Sequence, residues 1–200
     1  ESFEGHGFHS ASWDESYSLA GKRVAVIGTG ASAIQFVPAI APQVERLSVF
    51  QRSPAWMMRR ADRAYSAFEK RLMHAVPALS RLYRLGIYLR YEARALAFTR
   101  FKSLMKIAGE WPFRRMLARD VPDAALRAKL TPDYPVGCKR ILLSDDYLTT
   151  MSRENVELVT ESIRRIVPTG VETQDGRVHE VDAIVYGTGF SATEFLAPMS

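Results

Sequence analysis

The chain has 200 residues, a formal net charge of +5 and an apolar fraction of 47%, enough for one core of ordinary size, or one domain with an insertion. Its single cysteine, Cys138, excludes an internal disulfide and suits a reducing, cytoplasmic compartment. The four histidines, at positions 6, 9, 74 and 179, lack ligand spacing with it, so no metal is expected. No apolar run is long enough for a bilayer span and no signal peptide is expected. The chain opens on Glu1 rather than Met and so reads as a piece of a longer one.

The first segment is the spaced string F-x-G-x-x-x-H-x-x-x-W-D, carried by Phe3, Gly5, His9, Trp13 and Asp14 in a Gly-, His- and Ser-rich context. Lys22 to Ile27 then predicts a buried parallel strand. Gly28-Thr29-Gly30-Ala31-Ser32-Ala33 follows at once, and a helix is expected from about Ala31 to Ile40, with Pro38 a local irregularity. Strand, Gly-rich turn and helix are the context in which G-x-G-x-x-A signals a dinucleotide site. Gly28 permits the tight turn, Gly30 removes a side chain where backbone must approach a pyrophosphate, and Ala33 lets helix and strand pack closely. The helix N-terminus supplies N–H groups and partial positive charge for phosphates.

A second strand is expected near Arg46–Phe50. NAD-binding folds usually place an Asp or Glu at its end to hold the ribose 2′-hydroxyl, whereas this chain has Gln51-Arg52-Ser53. A guanidinium there pairs with a 2′-phosphate and a serine adds a donor, which favours NADP(H) over NAD(H). The blander alternative is a solvated arginine after an edge strand.

From Ala61 to Leu130 the chain turns basic and helical: Leu82, Leu85, Leu89, Ala93 and Leu96 recur at helical spacing with arginines between them. Pro77, Pro112 and Pro122 divide the stretch into several helices. It is too long for a sheet crossover and is expected as an insertion packed on the nucleotide domain with a solvated basic face. A weak membrane-surface contact through the basic helices is the second reading. Nucleic acid is not expected, since no reader motif accompanies the charge.

Tyr134-Pro135-Val136-Gly137-Cys138-Lys139-Arg140 then precedes Asp145-Asp146, with which Lys139 and Arg140 could simply pair at the surface. Cys138 is expected as a structural thiol. Asn155–Val159 predicts another parallel strand; Ile163–Val167, Gly170–Thr173 and Val178–Val181 predict a meander, with Asp175-Gly176 as a hairpin turn. Val181 to Phe190 closes with a strand and Gly187-Thr188-Gly189-Phe190, where Asp182 is expected to shape the turn.

Taken together, in this order, these strings resemble Baeyer–Villiger monooxygenases, FAD- and NADPH-dependent enzymes that insert one oxygen atom of O2 beside a ketone carbonyl. The Trp13-Asp14 ending favours them over flavin-containing and N-hydroxylating monooxygenases, which oxidise N or S; Gly187 stands where the family usually has Ala. The resemblance implies that Lys139 contacts the 2′-phosphate, that Arg140 is the catalytic arginine, and that Thr188 and Gly189 join the cofactor site. It also implies that NADPH reduces FAD and NADP+ shields the flavin peroxide, with a ketone or heteroatom substrate and O2 as small-molecule partners. No first G-x-G-x-x-G for FAD is present, so the FAD domain is expected on both sides of this segment. The expected class is α/β: residues 1–20 a linker with the fingerprint, where His9 couples rather than reacts; 21–57 and 131–190 a Rossmann-like dinucleotide-binding domain with a parallel sheet and small β-meander; 58–130 a helical insertion; 191–200 the return to the FAD domain. Without flavin, such a piece is not expected to turn over. A flavin-free NADP-dependent reductase and a non-catalytic binding module are the alternatives from other classes.

Overall fold

The computed structural model describes residues 3–60, 62–100 and 109–190, the side chains of 94–100 excepted; the return segment 191–200 and the Leu96 side chain lie outside them. Five strands, β1 (His6–His9), β2 (Arg23–Ile27), β3 (Arg46–Phe50), β6 (Val156–Val159) and β10 (Ala183–Tyr186), form a parallel sheet in the order β1-β10-β2-β3-β6. Its central strands read as near-continuous apolar runs because both faces are covered. Val24, Val26, Leu47, Val49, Leu158, Ala183 and Val185 point into one buried cluster, which the helices cover. Ala25, Phe50, Val159 and Ile184, alternating with them, join Val171 and Val181 in a second cluster. That second face is covered by the antiparallel meander β7 (Ile163–Val167), β8 (Gly170–Thr173) and β9 (Val178–Glu180).

The first helix, α1 (Ala33–Ile40), buries Ala33, Ile34, Val37 and Ile40, the spacing of a single helical face. Pro38 sits inside it and leaves one carbonyl of the preceding turn without its helical donor. The chain then makes β3 and a short strand β4 (Met57–Met58) before α2 (Ala67–Ala75), α3 (Pro77–Arg100), α4 (Trp111–Asp120) and α5 (Ala124–Leu130). Ser66 and Glu69 cap α2 reciprocally, and the Asp123 carboxylate accepts the Ala125 and Leu126 amides at the start of α5. Strand β5 (Leu142–Leu143) pairs in parallel with β4, and α6 (Tyr147–Met151) packs on α1.

Two expectations meet differences. His6–His9, inside the stretch expected as linker, is the edge strand of the sheet, paired along its length with β10. The helical stretch divides in behaviour: Phe113, Met116, Leu117 and Leu130 of α4 and α5 enter the core, whereas α2 and the described side chains of α3 bury nothing and contact one another. No helix among the described residues is long and apolar enough to cross a membrane.

Asp182 ties the start of β10 to the start of β2. Its carboxylate accepts the Arg23 amide at 2.8 Å and Arg23 Nη2 at 2.9 Å, while its own amide donates to the Arg23 carbonyl. The Arg23 side-chain hydrogen bonds, and then the Arg23 amide, hold this carboxyl below the usual carboxylate range. A lowered carboxylate pKa contributes stability above the unfolded value that is lost as pH falls through the folded one. Asp182→Asn is therefore expected to cost about 1 kcal/mol at neutral pH and to flatten the acid limb below about pH 4. Urea titrations at neutral and acid pH check this; parallel curves for both proteins refute it.

Candidate functional site

A crevice of about 770 Å³ opens at the carboxyl ends of β2, β3, β6 and β10. From β2 the chain proceeds outward through β3 to β6, then returns to the other side of β2 as β10. The crevice thus lies at the switch point where open α/β sheets bind ligands. Ile27, Gly28, Thr29 and Gly30 line it from β2, and Gly187, Thr188 and Gly189 from β10.

Gly28 has φ +109°, and a Cβ there would lie 2.5 Å from the Gly187 carbonyl oxygen. Glycine is needed for conformation and for room. Gly30 differs: a Cβ on it would meet nothing within 4 Å, so its bareness leaves the cavity wall open. Ala33 lies beneath, fully buried, 3.6 Å from where Gly187 would carry a Cβ. A methyl group at 187 would meet only ordinary contacts, so this position accepts either Gly or Ala. Ala31 and Ser32 form the turn into α1 and do not line the crevice. The first N–H groups of α1 lack intrahelical partners, as at any helix start.

At the end of β3, Gln51, Arg52, Ser53, Pro54 and Ala55 line the crevice, and Lys139 and Arg140 reach it from the far side of the insertion. Lys139 Nζ donates to Ser53 Oγ at 3.1 Å and sits 4.4 Å from the centre of the Tyr134 ring, a cation–π distance. Tyr134 is fixed in turn. Its hydroxyl donates to the Pro54 carbonyl at 2.8 Å, and its own carbonyl accepts Trp56 Nε1 at 2.8 Å. Burial pushes the Tyr134 phenol up, so it stays protonated and donates. Gln51 is buried and donates from Nε2 to the Lys129 carbonyl, anchoring α5 to the sheet. Among the described residues, no carboxylate forms an ion pair with Arg52, Lys139 or Arg140. Asp145 instead approaches Arg59.

The fingerprint residues surround β1 and do not line the crevice. Phe3 packs on the second apolar cluster, and Gly5 lies against the Phe3 ring and the Asp182 carbonyl. His9 Nδ1 accepts the Ala11 amide at 3.1 Å and its ring meets Phe190 edge-on at 5.8 Å. Trp13 stands between Phe8 and Phe36, at 5.1 and 5.4 Å. Asp14 accepts the Ser16 amide and hydroxyl, which lower its carboxyl, and holds His6 at 2.9 Å.

Tyr134, named from sequence only as the start of the string that ends in Arg140, and Thr160-Glu161-Ser162, not singled out there, also line the crevice. The second set has a legible signal: it follows β6, and every parallel strand of such a sheet delivers its next residues to the same edge. Tyr134 has none, because its contacts run to residues about 80 positions earlier. Among the described residues there is no His/Cys/Asp/Glu cluster suited to a metal, and Cys138 is exposed.

Fold and crevice together define an α/β protein of Rossmann-like class, a parallel sheet between helices and a small β-meander, with a basic crevice at its switch point. The flavin-binding monooxygenase-like family matches residues 1–198, and the chain belongs to that family. It is 46% identical over 194 residues to a Baeyer-Villiger monooxygenase of Pseudomonas aeruginosa, covering 97% of this chain and 37% of that protein. It is 47% identical over 194 residues to another from Streptomyces coelicolor, with the same coverage. Steroid monooxygenase bound to NADP superposes with a TM-score of 0.77 at 30% identity, over 94% of this chain and 43% of that one. A cyclohexanone monooxygenase mutant from Rhodococcus sp. Phi1, bound to NADP+, gives 0.79 at 30% identity, over 96% and 44%. The chain therefore spans 37% of the length of those two curated relatives.

The two glycines separate fold from ligand. Gly28→Ala is expected to lower stability by about 2 kcal/mol or more through backbone strain and the Gly187 contact. Gly30→Val should melt within error of the parent and yet weaken nucleotide binding by at least roughly tenfold. Thermal melts and calorimetric titrations check the pair; equal destabilisation by both overturns the assignment.

Proposed function

We propose that the crevice binds NADP(H), and that the whole protein is an NADPH- and FAD-dependent monooxygenase of Baeyer–Villiger type, inserting one oxygen atom of O2 beside a ketone carbonyl. The observation that carries this is the convergence of Arg52, Ser53 and Lys139 beyond β3, with the Lys139 ammonium already on Ser53 Oγ. A bound NAD(H) is favoured by a carboxylate at that strand end; a 2′-phosphate is favoured by these cations and hydroxyl. The donor set fits the group: bare backbone at Gly30 and the start of α1 for the pyrophosphate, and a guanidinium, an ammonium and a hydroxyl for the 2′-phosphate.

Each residue has a distinct task. Gly28 sets the turn, and Gly30 lets backbone approach the pyrophosphate. Thr188 and Gly189 wall the crevice on the β10 side. Arg52 and Lys139 neutralise the 2′-phosphate, with Tyr134 and Ser53 holding Lys139 in place. Arg140 lines the same crevice with a guanidinium of several directed donors; in a site closed from water it stabilises negative charge developing on the substrate oxygen. Nicotinamide and flavin, when bound, supply the hydride and the oxygen-activating chemistry. His9, through its edge contact with Phe190, links the fingerprint to the residues that follow Gly189 of the crevice wall, a coupling role for a residue that does not itself line the crevice.

Arg52→Ala is expected to raise the Kd for NADPH about tenfold or more, the loss of a charge-assisted contact, and to leave NADH binding nearly unchanged. Side-by-side calorimetry with both nucleotides tests it, and equal losses would remove Arg52 from the 2′-phosphate. In the full-length protein, Arg140→Ala should bind NADPH yet lose ester formation from a ketone. Parent-level ester formation by that variant would exclude Arg140 from the chemistry.

A further inference from the structure

Every residue of α3 from Arg81 to Ala93 is exposed, although the stretch is rich in large apolar side chains. Leu82 is 63% exposed, Leu85 50% and Leu89 56%. At about 100° per residue, Leu79, Leu82, Leu85 and Leu89 share one arc of about 120°. Arg81 and Glu92 border one edge of that arc, with Tyr88 just beyond them, and Arg90 borders the other; Arg84 lies on the opposite side of the helix. Beside Arg90, Tyr83 meets Tyr65 edge-on at 6.2 Å, so the segment leading into α2 lies along that edge, and Leu82, Leu85 and Leu89 stay exposed.

We propose that this face of α3 docks on an anionic lipid surface. A contiguous run of exposed leucines needs an apolar partner, and the basic borders choose among partners. Residues 77–93 carry Arg81, Arg84 and Arg90 against the single carboxylate of Glu92. A second copy of the face would bring arginine borders together with too few carboxylates to pair them; an anionic headgroup layer supplies the counter-charge and the apolar medium at once. The helix lies on the membrane rather than through it, since no described helix can cross. Leucines then sink to the level of the acyl boundary, arginine stems snorkel outward, and Tyr88 takes the interfacial position its amphipathic ring favours. The docking does not rest on the nucleotide assignment, because α2 and the described side chains of α3 bury nothing in the core beneath the crevice.

The test is co-sedimentation of the full-length protein with phosphatidylcholine vesicles, with and without phosphatidylglycerol, at low and high salt. Binding is expected to the anionic vesicles and to weaken with salt. The combined Leu82→Ser, Leu85→Ser and Leu89→Ser variant should lose roughly tenfold or more in vesicle affinity, with an unchanged thermal melt. Combined Arg81→Glu and Arg90→Glu changes should abolish the preference for anionic vesicles. Protein that stays in solution with anionic vesicles overturns the proposal, as does a leucine variant that sediments like the parent. Concentration-dependent dimers in analytical ultracentrifugation, lost in the leucine variant, would overturn it in favour of a second copy.

Discussion

The close approach of two backbone turns, Gly28 after β2 and Gly187 after β10, is the constraint on which the site depends. The two strands come from opposite ends of the sequence and lie side by side with their carboxyl ends almost in contact. No side chain fits at Gly28, so the chain must diverge there: one arm rises into α1, the other into Thr188 and Gly189. The crevice is the space left between them. Arg23 and Asp182 hold the register at the opposite end of the same strand pair. A slip by one residue would exchange the faces of β10, turning Ala183 and Val185 toward the meander and Ile184 toward the helices.

The basic wall of the crevice has a different origin. Lys139 is delivered from beyond the insertion, and nothing in its own neighbourhood aims it. Three linked contacts do so: Trp56 to the Tyr134 carbonyl, Tyr134 to the Pro54 carbonyl, and the Lys139 ammonium over the Tyr134 ring. The first two run between the segment after β3 and the segment before β5, which β4 and β5 pin together, and the third passes the hold on to Lys139 within the latter. A cationic wall is thus assembled by aromatic and peptide groups, and among the described residues no carboxylate pairs with Lys139.

Much of this was legible in the sequence where signals are local. Strand, Gly-rich turn and helix around Gly28 declare themselves, because the apolar run of β2 and the glycine spacing sit within one short window. The absence of an acidic residue after Phe50 was equally local. What could not be read was made by partners distant in sequence. His6–His9 has little strand character of its own and becomes a strand by pairing with β10. Lys139 has two aspartates a few positions away, yet it binds Ser53, while Asp145 turns to Arg59. The leucine spacing of α3 correctly marked a helix, but periodicity shows which side is apolar and not what lies against it.

The pairing of β4 with β5 at the base of the insertion has a consequence for how this architecture can vary. With the two ends of the excursion clamped side by side, closing the chain over them is a loop-entropy problem whose cost rises only with the logarithm of length, about 0.6 kcal/mol for each doubling. The stretch through α2 and the described part of α3 adds no buried side chain to offset that small cost or to be lost with it. Length and composition of that arm are therefore nearly free variables of the fold, open to change without disturbing the crevice a few residues below the clamp.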